Sequence, residues 1–354
     1  MIIDFHSPCG EDVKTQIFGY GRAYYCILPE LAEEVNRRGH RLANSYEGGD
    51  LQIFFGAPFD ECEEYYIRKS ERFWCYTMWE STIVGSEVLN NLKKFDGLIV
   101  PSNWCEKVFR ESGYSGPIQI APLGVAPGKW PTIDRDPERK PYRVYWQGTS
   151  LMDRKGAIDV IRALNDLNLS DSELWLKINP RYCEAKMPAN FQFISPAAIE
   201  NLLNHLNFYE KVNDIAVTIV GVELTIDEMR ELLGHMDLSV YPSRGEGFGL
   251  LPLEHMQSGL PVIIADNSGM SMYIDPQYMI PLKCRERCST LGPEFGIDYE
   301  ADFEELKAAM LWAYEHRQAA HDMGMAAAEW VSKNWNYSQT ARCLVDIAES
   351  SIKE

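Results

Sequence analysis

LSVYPSRGEGFGLLPLEHMQSGLPVIIAD, residues 238–266, passes from a β-rich run through a loop with Gly245, Gly247 and Gly249 into a helix at about 250–258, then into a second β-rich run. Gly259, Leu260 and Pro261 stop that helix before the second strand begins. The stretch is one strand-loop-helix-strand unit, and the same alternation continues on both sides of it. Short β-rich runs lie at 52–56 (QIFFG), 72–78 (RFWCYTM), 97–102 (GLIVPS), 142–148 (YRVYWQG), 173–179 (ELWLKIN) and 214–221 (DIAVTIVG), separated by amphipathic stretches. This pattern predicts an α/β chain with parallel sheets.

The chain has 354 residues, more than one core usually serves, so two domains are expected. APGKWPTIDRDPERKP, after Val125 and before Tyr142, is rich in Pro and charge without an apolar period and reads as a linker. The expected division is residues 1–140, 141–335 and a C-terminal helix over 336–354 that returns to the first domain. Each domain opens a β-α series with a small-residue loop, FGYGRAYY at 18–25 and QGTSLMDRKGAIDVIRAL at 147–164. Two Rossmann-like domains facing one another follow from this.

The net charge is -18, from 34 Lys+Arg against 52 Asp+Glu. Such a balance argues against a general nucleic-acid coat or an anionic-membrane binder, both of which depend on clustered cations. No apolar run is long enough to span a membrane, and MIIDFHSPCG does not read as a signal peptide. A cytoplasmic location without membrane insertion is expected. The nine cysteines are scattered without the spacings of a zinc site and read as buried thiols.

Glycines at a strand-to-helix turn let backbone N–H groups approach a ligand closely, and the helix N-terminus adds a positive partial charge suited to phosphate or sugar oxygens. Glu246 stands in the loop and Glu254 eight residues later on the helix, so the pair can face different parts of one elongated ligand. As a dinucleotide fingerprint GYGRAY fails, because Tyr24 stands where the third glycine of G-x-G-x-x-G belongs. That counts against an NAD-dependent enzyme.

With these residues in view, PSRGEGFGLLPLEHMQSGLPVI resembles the signature of retaining GT-B glycosyltransferases, in particular glycosyltransferase family 4, whose core is an E-x7-E pair. GYGRAYY, GLIVPSNW at 97–104, APLGV at 121–125, DRKG at 153–156 and TIVG before the last unit follow in the family's order. The resemblance implies a GT-B fold and transfer of a sugar from a UDP-, GDP- or ADP-linked donor to an acceptor hydroxyl. It implies that Glu246 contacts donor-sugar hydroxyls, that the backbone of Gly247, Phe248, Gly249 and Leu250 lines the sugar and phosphate, and that Glu254 holds the ribose. Lys155 matches the lysine of the donor diphosphate, with Arg154 beside it, and Gly21 lies in a tight turn beneath the phosphates or the acceptor.

Two departures are visible. The family commonly has an Arg after the Gly of its strand-end loop, where this chain has Thr149 after Gly148, so Arg154 or Arg244 is expected to supply the charge. Many relatives also place a donor-sugar His near residues 76–81; here the stretch reads TMWEST, and Glu80 is the candidate to position the acceptor hydroxyl or take its proton. Asp134–Arg135–Asp136 has the D-x-D form that holds a metal-bound diphosphate in a different glycosyltransferase fold, but it sits in the linker and reads as a solvated charge run. No metal and no cofactor are expected. A soluble glycan or small molecule is the favoured acceptor, and a protein side chain stays open. A modified DNA base, a catalytically silent sugar-nucleotide-binding protein, and an epimerase or phosphorylase of similar fold are the alternatives.

Overall fold

The computed structural model describes residues 1–8, 19–148, 153–178, 216–221, 224–289 and 292–353. The first half is a six-stranded sheet in the order β2-β1-β3-β4-β5-β6, with β1 Ile2–His6, β2 Arg41–Leu42, β3 Leu51–Phe55, β4 Arg72–Tyr76, β5 Gly97–Val100 and β6 Ile118–Ile120. The second is a six-stranded sheet in the order β12-β11-β10-β7-β8-β9, with β7 Tyr142–Gln147, β8 Ser172–Lys177, β9 Ala216–Val220, β10 Leu238–Tyr241, β11 Val262–Ala265 and β12 Ile280–Leu282. All pairings within both sheets are parallel. Strands buried on both faces read as continuous apolar runs, which is why LQIFF, GLIV and VIIA carry almost no polar residue.

Helices α1 Gly19–Arg37, α2 Ser86–Asn91 and α3 Asn103–Glu111 flank the first sheet; α4 Ala157–Leu167, α5 Ile226–Gly234, α6 Leu250–Gln257 and α7 Phe303–Glu315 accompany the second. Their starts are chemically marked. Ser102 accepts from the Cys105 N–H, Thr225 and Glu228 form a reciprocal capping box, and Asp302 accepts from the Glu305 N–H. Two long helices close the chain, α8 Arg317–Asn334 and α9 Tyr337–Lys353. The last lies against α1, where Arg38 pairs with Asp346 at 2.7 Å and His40 meets Glu349 at 2.9 Å. One apolar cluster runs from Ile3, Ile27 and Ile53 through Leu344 and Val345 to Phe248, Leu253 and Ile264, so the two halves share core across their junction.

Several details differ from the sequence reading. The first strand, IIDFH, was not among the expected ones, and an antiparallel hairpin of β13 Cys284–Cys288 and β14 Ile297–Ala301 stands beside the second sheet. Residues 126–141 are more than a solvated tether. Trp130 is buried with Tyr145, Met229, Leu233 and Leu260, and buried Arg135 donates to the carbonyls of Ile133, Leu233 and Ser258. A single indole and one guanidinium that covers carbonyls near the ends of α5 and α6 fasten the segment without any periodicity. Asp134 in turn accepts from His321 at 3.0 Å, so the D-x-D run is pinned at its first two residues.

Candidate active site

The β10–α6 loop meets the first sheet directly. Ser102 donates to the Gly247 carbonyl at 2.7 Å, and a Cβ on Gly245 would lie 2.4 Å from the Glu80 carbonyl oxygen. Only glycine permits that approach. At the start of α6, Gly249 has φ +86°, and its carbonyl accepts from the Tyr273 hydroxyl at 2.7 Å. Buried Phe248 packs 5.6 Å from the Tyr273 ring and 6.0 Å from the Trp335 ring, centre to centre.

Between the halves lies a cavity of about 170 Å³ lined by Glu80, Arg154, Lys155, Glu246, Gly247, Phe248, Gly249, Leu250 and Glu254, together with Arg22, Met78, Leu123 and Tyr241. Most of the expected site residues therefore converge from three separate stretches of chain, around Glu80, at Arg154–Lys155 and along 246–254. Lys155 is held there by its backbone: its carbonyl accepts from the Trp146 indole N–H at 3.0 Å, and Gly156 follows in the left-handed region at φ +70°. Its ammonium pairs with Glu246, whose Oε1 also accepts from Tyr241 at 2.9 Å and Ser243 at 2.7 Å. Burial pushes the Glu246 carboxyl up, but the charges of Lys155 and Arg154 and the hydrogen bonds from Lys155 and Ser243 outweigh it, leaving the group below its ordinary value.

Arg154 spans the cleft, donating to the Gly245 carbonyl at 2.7 Å and pairing with Glu80 at 2.7 Å. Arg22, from the first turn of α1, pairs with Glu254 at 2.5 Å and stands 4.8 Å from the centre of the Trp130 ring. Burial raises the Glu254 carboxyl from 4.5 to about 7 even though Arg22 acts to lower it. Between about pH 4.5 and 7 the folded protein thus holds a proton that the unfolded chain releases, so this group's contribution makes stability fall as pH rises through that window. Glu254→Gln is expected to remove roughly 3 kcal/mol of this pH-dependent loss. Denaturant titrations at pH 5 and pH 8 check it; a wild-type pH slope unchanged in the variant would contradict the assignment.

The structure leaves other expected residues outside the cavity lining. Arg244 pairs with Asp159 at 2.7 Å and stands 3.8 Å from Glu300. Gly148 lies at the end of β7, where a Cβ would strike the Trp146 ring at 2.4 Å. Gly21 sits within the first turn of α1 instead of in a tight turn, because the helix already starts at Gly19. Thr149 falls outside the described residues. His255 is buried against Ser239 at 2.7 Å and Gln147 at 3.1 Å, and burial with nearby Arg22 and Arg135 lowers it to about 3. Its ring lies 5.3 Å from the Tyr145 ring, centre to centre.

Sequence reasoning missed Arg22. Its position just after GYG was visible, but its reach to Glu254 depends on how α1 packs against α6. A larger groove of about 590 Å³ beside β12 and α7 is mostly apolar and gathers only Asp266, Lys283 and Glu305 as charges, without converging polar groups of this kind. Among the described residues no group of three or more His, Cys, Asp or Glu is arranged to hold a metal, and no helix is long and apolar enough to cross a membrane.

A family model described as "Family 4 Glycosyltransferase in conflict systems" matches residues 196–344. No curated protein matches the sequence. Among solved structures, Anabaena HepE in complex with UDP and glucose superposes with a TM-score of 0.66 at 12% identity, covering 99% of each chain. A glycosyltransferase from Rickettsia africae gives 0.63 at 13% identity, covering 100% of this chain and 98% of that one. Sucrose-phosphate synthase from Thermosynechococcus elongatus gives 0.60 at 16% identity, covering 91% and 76%. With two parallel-sheet Rossmann-like domains arranged as in these structures, the chain has the GT-B fold and resembles the family 4 glycosyltransferases.

Proposed function

We propose that the protein is a retaining glycosyltransferase that moves a sugar from a nucleoside-diphosphate donor to an acceptor hydroxyl of a soluble glycan or small molecule. The observation that carries this reading is the convergence of Lys155, Glu246 and Glu254 on one cavity at the glycine loop and the start of α6. The two carboxylates accept hydroxyls of the donor's sugar and ribose, while the ammonium and the loop amides offset the charge that develops on the departing diphosphate. Glu80, on the opposite wall and about half exposed, positions the acceptor. No carboxylate in the cavity is assigned the role of nucleophile. The acceptor attacks from the face the leaving group departs, and the leaving phosphate takes its proton. Closure of the halves excludes water and limits donor hydrolysis.

Thermal unfolding of the wild type, Lys155→Ala and Glu254→Ala against UDP-, GDP- and ADP-sugars tests the donor site. A donor at 100 times its dissociation constant adds about 2.7 kcal/mol to stability, and one nucleotide series should stabilise the wild type most, Lys155→Ala less and Glu254→Ala least. NMR of the anomeric proton in the product then checks retention; an inverted product would refute that part. Binding without transfer to any acceptor would favour the silent sugar-nucleotide-binding alternative.

A further inference from the structure

Among the described residues six charged side chains line the cavity, and they form three pairs: Arg22 with Glu254, Arg154 with Glu80, and Lys155 with Glu246. Their formal charges cancel. An anionic ligand entering such a site meets as much repulsion as attraction unless the pairs exchange partners. The cavity, about 170 Å³, is also smaller than the roughly 300–1,000 Å³ of typical ligand pockets, in keeping with side chains that move when a ligand enters.

The three cations differ in how they are held. Arg154 is anchored at both ends of its guanidinium, by the Gly245 carbonyl and by Glu80. Lys155 belongs to the donor-binding set already described. Among the described residues Arg22 is the one cation lining the cavity that comes from the first half of the chain, and it projects from α1 toward the carboxylate on α6. Its planar guanidinium suits a two-oxygen phosphate contact, and the carboxylate it would release suits a diol.

We infer that Arg22 is a ligand of the donor diphosphate: when a nucleoside diphosphate binds, Arg22 leaves Glu254 for the phosphate oxygens, and Glu254 turns to the ligand's hydroxyls. This rests on the donor-site reading above and adds to it a contact from the opposite wall. The exchange resolves the charge problem, because each carboxylate freed of its cation gains hydroxyl donors and each freed cation gains phosphate. It also makes the diphosphate the bridge between α1 and α6 in place of the ion pair that spans them now.

Calorimetric titration of the full chain tests the inference, using UDP, GDP and ADP, and then the monophosphate and nucleoside of whichever binds. Arg22→Gln is expected to weaken the diphosphate about 10- to 100-fold, the range for a lost charged hydrogen bond, while changing nucleoside affinity less than about 3-fold by the same reasoning. Arg22→Lys should recover part of the loss. Because Arg22→Gln leaves Glu254 buried without its partner, Glu254→Gln and Arg22→Gln/Glu254→Gln form a second comparison, and the same 10- to 100-fold step is expected between them. If both comparisons show diphosphate affinity unchanged or improved, Arg22 serves only to hold Glu254 and the inference is overturned, with the donor site intact. If the wild type binds none of the three diphosphates at millimolar concentration, the donor-site reading itself fails and takes this inference with it.

Discussion

Lys155→Ala is expected to lower kcat about 100- to 1000-fold, the usual effect of removing one preorganised charge from a developing leaving group. The ammonium stands on a short turn between β7 and α4, braced by the Trp146 indole and followed by a glycine that a Cβ would drive to 2.5 Å from the Pro242 carbonyl oxygen. Its position therefore needs little reorganisation at the moment of reaction. Donor KM should change less than kcat, because the charge it meets is greatest in the transition state. Initial rates under saturating donor, with a melting curve to show that the variant is folded, make the check. A variant with wild-type kcat would remove Lys155 from the chemistry.

Glu246→Ala should be the most destabilising single change at the site. The carboxylate receives Lys155, Tyr241 and Ser243 on one oxygen, and both members of the ion pair are buried. Removing one partner of a buried pair strands the other charge and typically costs about 3–5 kcal/mol. The double variant Glu246→Ala/Lys155→Met removes both charges and should regain most of that loss, whereas independent contributions would simply add. Urea denaturation of the wild type, the two single variants and the double variant closes the cycle. If the double variant is as unstable as the sum of the singles, the two groups are not coupled as the structure has them.

Strands and loops whose information is local were legible from the sequence. The runs at 52–56, 97–102 and 261–266 become β3, β5 and β11 because continuous apolar residues mark a strand buried on both faces. Glu246 and Glu254 were found by spacing along one unit, and they share a cavity because that unit folds locally. Contacts between distant stretches were not legible. Arg244 and Arg154 both follow sequence cues for a phosphate site, yet Arg154 enters the cavity and Arg244 is captured by Asp159 from α4. The burial of Trp130 and Arg135 likewise depends on partners about 100 residues away, such as Leu233. No window of sequence contains both sides of such a contact.

Where the halves join, the chain crosses twice in one place. Val125 and Asn336 form a parallel bridge, with Val125 N–H donating to the Trp335 carbonyl at 2.9 Å and Tyr337 N–H donating back to Val125 at 3.1 Å. Two covalent connections tied side by side constrain relative movement as a pin joint does: they resist sliding and leave rotation about a common axis as the soft direction. Gly124 adjoins that bridge, with the Asn336 backbone 2.4 Å from where its Cβ would be. A methyl group there would act as a shim in the joint, resetting the angle between the halves and hence the gap at the glycine loop without touching a residue that meets the substrate.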